Sequence, residues 1–307
     1  MDRRSWSLLL VLAAIWGASY LFIEIGGRDL SAPMIAFMRI VLGAAVLVPL
    51  ALKREALGGL GGLWPVIVAV AVTQVSAPFL LIALGQEEIS SSLAGILVGS
   101  APIFTAILAI FFAADERSEG VQLVGVGVGV TGLVLLLGVD VGHSTAQLLG
   151  GLAVVLAGLG YAIGGLLAKR RLAGVQPLGV AAIVLAVSGV ISLPAALLTL
   201  PDEMPGLGPL AAITALGVLG TGVAFAIFYE LIARVGPART FLVTYLAPVF
   251  AVAYGVLLLD EEFGPVTLAG LLLILAGSYL AAGGKVPSRG GGSAAVGVTL
   301  DQELRGG

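Results

Sequence analysis

Residues 84–104 read LGQEEISSSLAGILVGSAPIF, and residues 230–250, beginning 146 positions later, read ELIARVGPARTFLVTYLAPVF. Pro102 falls over Pro248, and the acidic steps Asp115-Glu116 and Asp260-Glu261-Glu262 close the two copies. The second half of the chain therefore repeats the first. With an odd number of hydrophobic spans in each copy, the two copies must sit upside down relative to one another in a membrane. That plan suits a transporter, because two opposed halves can open a shared midplane site to either side by exchanging conformations.

Composition supports the membrane assignment. Of 307 residues, 59% are hydrophobic and only 11% charged, and the mean hydropathy is +1.13. So little polar surface cannot cover a soluble globule of this length. Zero cysteines exclude disulfides, thiolate catalysis and cysteine metal sites. The net charge of −3 carries little information, since the distribution of charge matters more than its sum in such a protein.

A helix needs about 20 largely apolar residues to cross roughly 30 Å of hydrocarbon. Ten stretches qualify, near 6–25, 33–52, 64–84, 92–113, 120–138, 147–168, 177–200, 209–231, 238–259 and 264–282. The expected fold is all-α: ten transmembrane helices in two inverted five-helix repeats, residues 1–140 and 141–283, followed by a disordered cytoplasmic tail over 284–307. Pro33, Pro65, Pro177, Pro209 and Pro265 sit at or near span starts, where a missing N–H costs nothing. G-x-x-x-G pairs at Gly125/Gly129 and Gly160/Gly164 allow close helix approach. They serve either tight internal packing, expected of a monomer, or a dimer face.

Cation placement selects an orientation. With a cytoplasmic N-terminus, Arg3, Arg4, Lys53, Arg54, Arg117, Lys169, Arg170, Arg171, Arg234, Arg239, Lys285, Arg289 and Arg305 all lie inside, 13 of the 15. By the positive-inside rule both termini are cytoplasmic, and the expected location is the inner (plasma) membrane. The apolar run after Arg3-Arg4 is read as the first span and not as a cleaved signal, because its removal would break both the repeat and the charge alternation.

Enzyme signatures are missing. There is one histidine, His143, and the chain contains no H-E-x-x-H, no G-x-S-x-G elbow and no G-K-[ST] phosphate loop. Ser188, in Ala186-Val187-Ser188-Gly189, has no intramembrane histidine to activate it and reads as a packed helix serine. No enzymatic activity, cofactor or nucleic-acid partner is expected.

The polar content of the spans remains. A charge at mid-bilayer costs about 2.5 to 3.5 kcal/mol on insertion scales, so Glu24, Arg39 and Glu230 each ask for a reason. Glu24 and Glu230 fall near span ends. Arg39 lies six residues beyond Pro33, roughly 9 Å along a helix, inside the outer half of the hydrocarbon. It either pairs with Glu24 or faces an outer vestibule and attracts a carboxylate. No carboxylate sits at the midplane, so facilitated diffusion or exchange is at least as plausible as ion coupling. Trp16, Ser19, Tyr20, Gln74, Ser76 and Ser100 could line a cavity from the first half, and Tyr161, Thr221, Phe225, Thr244 and Tyr245 from the second. Such an aromatic, hydroxyl-bearing pocket suits a small, partly apolar ligand, its apolar part meeting Trp16, Phe225 and Tyr245. Pro78, Pro102 and Pro248, with glycines nearby, are the expected hinges.

These residues also carry a family resemblance. Trp16-Gly17-Ala18-Ser19-Tyr20, Pro33 with Arg39, Ala101-Pro102-Ile103-Phe104 before Asp115-Glu116, and Ala247-Pro248-Val249-Phe250 before Glu261-Glu262 resemble the drug/metabolite transporter superfamily, specifically EamA-type proteins. The resemblance spans residues 6 to 283 and implies ten helices in two inverted halves and export of amino acids or related metabolites. Aromatic amino-acid exporters are the most similar type, although Gly160-Tyr161 stands where such proteins commonly carry a tryptophan. A channel or pore, or a membrane enzyme, remains the alternative.

Overall fold

The computed structural model describes residues 1–112, 120–140 and 144–283. Asp115, Glu116, Arg117, His143 and the tail from residue 284 lie outside the described residues. All regular structure within them is helical: α1 (Arg3–Gly26), α2 (Ala32–Lys53), α3 (Trp64–Val70), α4 (Ala77–Gln86), α5 (Ser91–Val98), α6 (Ala101–Phe112), α7 (Val121–Leu135), α8 (Thr145–Arg171), α9 (Pro177–Leu197), α10 (Leu207–Gly217), α11 (Ala224–Val235), α12 (Pro237–Thr240), α13 (Val243–Leu258) and α14 (Pro265–Ala281). Three stretches of wider π-helix join them: Ala71–Ser76 between α3 and α4, Leu136–Asp140 after α7, and Val218–Val223 between α10 and α11. Among the described residues eight runs are long and apolar enough to cross a membrane, and α13 and α14 are shorter apolar helices. The protein is a multi-pass, all-helical membrane protein.

Local chemistry explains many of the boundaries. Asp2 accepts from Ser5 N at 3.0 Å to cap α1, and Ser144 accepts from Gln147 N at 3.1 Å to cap α8. The last turn of α8 carries Lys169, Arg170 and Arg171, where cations meet the negative end of the helix dipole. Gly236, at φ +81°, ends α11 in a backbone conformation that a side chain would strain. Between α5 and α6 the chain breaks at Gly99-Ser100, because Pro102 cannot donate back to Val98. At the break Leu97 O accepts from both the Ser100 N–H at 3.1 Å and the Ser100 hydroxyl at 2.6 Å.

The packing partners are reciprocal. α2 lies along α9, and α7 along α14. α1 packs on α13 and against α10 and α11, while α8 packs on α5 and α6 and against α3 and α4. Lipid tails are as apolar as leucine, so close contact and not burial from water holds such helices together. Glycine supplies that contact. A Cβ at Gly277 would strike the Gly129 backbone, and one at Gly132 would lie 2.9 Å from Leu273 Cβ. The Gly125/Gly129 face is thus occupied by α14. Gly160 and Gly164 meet Thr73, Gln74 and Pro78. Both G-x-x-x-G pairs serve internal packing, and neither offers a dimer face. Large apolar side chains point outward instead, with Val190 73% and Leu257 74% exposed, as a lipid-facing surface requires.

Candidate functional site

Arg39 stands at the centre of the candidate site. It is 8% exposed, and its Nε donates to Thr221 Oγ1 at 3.1 Å. The guanidinium lies 3.8 Å from the centroid of the Phe79 ring, within cation–π range. The expected alternative of an ion pair with Glu24 gives way to this arrangement. Glu24 remains half-buried on α1, with Arg28 and Glu261 as its charged neighbours. Its titratable neighbours are the phenols of Tyr20 on α1 and Tyr161 on α8. Among the described residues, no carboxylate pairs with this guanidinium.

Glycine and the π geometry bring these groups together. A Cβ at Gly43 would lie 2.6 Å from Thr221 Cγ2, so the absence of a side chain there lets α2 meet the 218–223 segment. Thr221 Oγ1 also donates to Leu216 O at 3.2 Å, five residues back. That spacing is the register of a π-helix, which leaves carbonyls short of their usual partners. A buried threonine therefore accepts from the cation while donating to a backbone oxygen.

The other central π segment shows the same pattern. Ser188 Oγ donates to Ala71 O at 3.1 Å, which explains the intramembrane serine as a partner for the distorted backbone. Gln74 is half-buried against Gly164. Ser76, 8% exposed, has a buried hydroxyl with no hydrogen-bond partner. Three and ten residues on, Phe79 and Gln86 occupy the same face of α4. Gln86 Nε2 donates to Tyr20 O at 3.0 Å, while its Oε1 is buried without a partner. Unsatisfied buried polar atoms in a native fold call for an explanation.

The remaining residues sort into separate groups. Trp16 and Phe225 meet edge to face with ring centroids 6.3 Å apart, and Phe228 joins at 5.5 Å from Trp16. Tyr245 does not join them. Its hydroxyl donates to Ser278 O at 3.3 Å, and its ring sits 6.2 Å from Tyr279, whereas α13 meets α1 through Ala247, Phe250 and Ala251 against Gly17. Tyr245 and the α1 contact thus occupy different faces of α13, because two residues along a helix is roughly half a turn. Ser100 faces Gly158 of α8. Ser19 donates to Ile15 O and Thr244 to Phe241 O. Pro78 and Pro102 follow backbone irregularities, while Pro248 lies inside unbroken α13. Glu230 pairs with Arg234 at 2.6 Å on a partly exposed face.

Sequence reasoning missed Phe79, Gln86 and the role of Glu261. Glu261 accepts from Ser91 N at 2.8 Å and Ser92 N at 3.0 Å and from the Ser92 hydroxyl, so an acid from the second half caps α5 in the first. The signal available was the acidic step at each copy's end. Nothing in the local sequence told which helix it would reach.

Residues 4–138 and 148–283 each match the model of the EamA-like transporter family. An uncharacterized transporter of Archaeoglobus fulgidus is 25% identical over 90% of this chain and 98% of its own length. A probable amino-acid metabolite efflux pump of Escherichia coli K12 is 24% identical over 91% and 95%. A probable terminal-alkyne amino-acid exporter of Streptantibioticus cattleyicolor is 27% identical over 91% and 93%. One solved crystal structure, 21% identical, superposes with a TM-score of 0.65 over 92% of this chain and 98% of that one, which shows a shared fold.

Proposed function

We propose, from the premise that this chain belongs to the EamA-like transporter family, that it exports amino acids or related small metabolites from the cytoplasm by alternating access. The observation that carries this reading is the pair of π segments at Ala71–Ser76 and Val218–Val223, 147 positions apart. The first lies against α8 and α9 and the second against α1 and α2. Each half thus places its irregular backbone on the other half. Irregular backbone at membrane depth is tolerated where it is buried in protein or lines a cavity, and discontinuous helices at corresponding positions mark transporter binding sites.

The reciprocal packing supports ten crossing helices in two inverted halves, 1–140 and 141–283, that share a central site. Trp16, Tyr20, Gln74, Ser100, Tyr161, Thr221 and Phe225 remain the proposed lining, with Arg39 as its charge. Pro78, Pro102 and Pro248 are proposed to let their helices bend. Two relatives whose names mention amino-acid export support the substrate class. Movement proceeds as facilitated diffusion or exchange, by one copy in the inner membrane with both termini cytoplasmic, and without covalent chemistry.

Two measurements test this. Purified protein in liposomes should take up radiolabelled neutral amino acids faster than empty liposomes, and counterflow by unlabelled substrate should accelerate it. Uptake no faster than in empty liposomes across the panel would overturn the export reading. Reporter fusions should read cytoplasmic at Lys285 and periplasmic at His143, and the opposite readings would invert the topology.

A further inference from the structure

Arg39 is a cation held among neutral groups: a threonine hydroxyl, a phenylalanine face and two phenols. Taking a charge out of water is unfavourable unless an opposite charge and further hydrogen bonds compensate it. Among the described residues no carboxylate does so. Among the described residues only its Nε donates a hydrogen bond, and a guanidinium carries five N–H donors in a fork that matches a carboxylate. Ser76, the last residue of the π segment and three positions before Phe79, has a hydroxyl buried without a partner. Three residues along a helix rise about 4.5 Å, and Phe79 in turn lies under the guanidinium, so one small ligand could span from the cation to this hydroxyl. A hydroxyl there can donate to a carboxylate or accept from an ammonium.

We infer that the Arg39 guanidinium is the anchor for a carboxylate on the transported solute, with the Ser76 hydroxyl as its second polar contact and Phe79 as the surface that holds the cation in place. The inference rests on the reading that the solute binds between the two halves, and it narrows the substrate class to carboxylate-bearing molecules. The Thr221 contact holds the fork in position, since the threonine is itself bonded to Leu216 O. A solute that lacks a carboxylate would leave the cation uncompensated and be rejected. The specificity is therefore negative as well as positive.

The test uses the reconstituted full chain and three probes of similar shape: L-phenylalanine, 3-phenylpropanoate, which keeps only the carboxylate, and phenethylamine, which keeps only the ammonium. Wild type should carry phenylalanine and be inhibited by phenylpropanoate, with phenethylamine neither carried nor inhibitory. Arg39→Gln should weaken phenylalanine and phenylpropanoate by about 10- to 100-fold, the scale of a hydrogen bond to a charged group. Arg39→Lys, which keeps the charge and loses the fork, should fall between. Ser76→Ala should weaken phenylalanine by about two- to tenfold, and it keeps the question open to test if the Arg39 variants fail to fold. Phenylalanine carried at wild-type affinity by Arg39→Gln, or by Ser76→Ala where the Arg39 variants do not fold, overturns the anchor and leaves the transporter reading intact. Phenethylamine carried as well as phenylalanine overturns it in the same way. A folded wild type that carries no amino acid overturns the export reading and the anchor with it.

Discussion

Trp16, Tyr161 and Tyr245, all of the kind that could line a cavity, have different environments in the fold. Trp16 is packed against Phe225 and Phe228, and Tyr161 is near the buried cation. Tyr245 is turned toward α14, bonded to Ser278 O. Trp16→Ala and Tyr161→Phe should therefore raise the apparent KM for uptake by about two- to tenfold. Tyr245→Phe should leave it within twofold. Concentration-dependent uptake at matched expression checks this. A Tyr245→Phe effect as large as the other two would return that residue to the cavity. What separated the three was helix phase within α13, which a symmetry-based alignment does not resolve.

Among the elements, the two central π segments combine distortion with the polar side chains of the candidate site. A π turn holds one residue more than the α register allows, so deleting a lipid-facing residue within it should restore a regular helix. Val72, 39% exposed, is the choice in Ala71–Ser76. Its deletion would close the bulge with the flanking segments still in phase, while shifting the polar residues within Ala71–Ser76 relative to the helices packed on them. Uptake should be lost while the purified protein keeps its thermal stability to within a few degrees. Retained uptake would make the π segment incidental.

The interface between α7 and α14 makes a contrasting stability prediction. A Cβ at Gly277 meets the Gly129 backbone, whereas Gly127 faces open space. Gly277→Ala should destabilise by about 1–3 kcal/mol, the usual cost of overpacking, while Gly127→Ala should be neutral or slightly stabilising because alanine is the better helix former. Thermal unfolding in detergent separates the two. Equal midpoints would mean that the helices can part without cost.

On the scale of the whole molecule, Glu261 ties the second half to the first. Its carboxylate receives two backbone N–H groups and one hydroxyl at the start of α5, and the preceding Asp260 takes φ +55°, unusual for a residue with a side chain. Glu261→Ala should lower stability by about 0.5–2 kcal/mol, the scale of a lost helix cap, and raise the rate of exchange if this tie must open during transport. Glu261→Gln, which keeps an acceptor oxygen, should lie closer to wild type. Unchanged stability in Glu261→Ala would show that the cap contributes nothing.

The sequence by itself determined the class of this protein. Hydropathy, the 146-residue offset and the membrane-depth arginine were legible because lipid solvation acts on each span separately, and an internal repeat is a property of the linear chain. The polar side chains gathered around Arg39 were mostly recognisable as candidates by their depth. Only the tertiary structure decided which of them meet. Arg39 settles on Thr221 and Phe79 instead of Glu24 because Gly43 lets the 218–223 segment approach and α4 brings its ring beneath the cation. The π register, the rotation of Tyr245 and the reach of Glu261 to α5 each depend on helices distant in sequence, and their contacts arise from packing, for which local composition carries no signal.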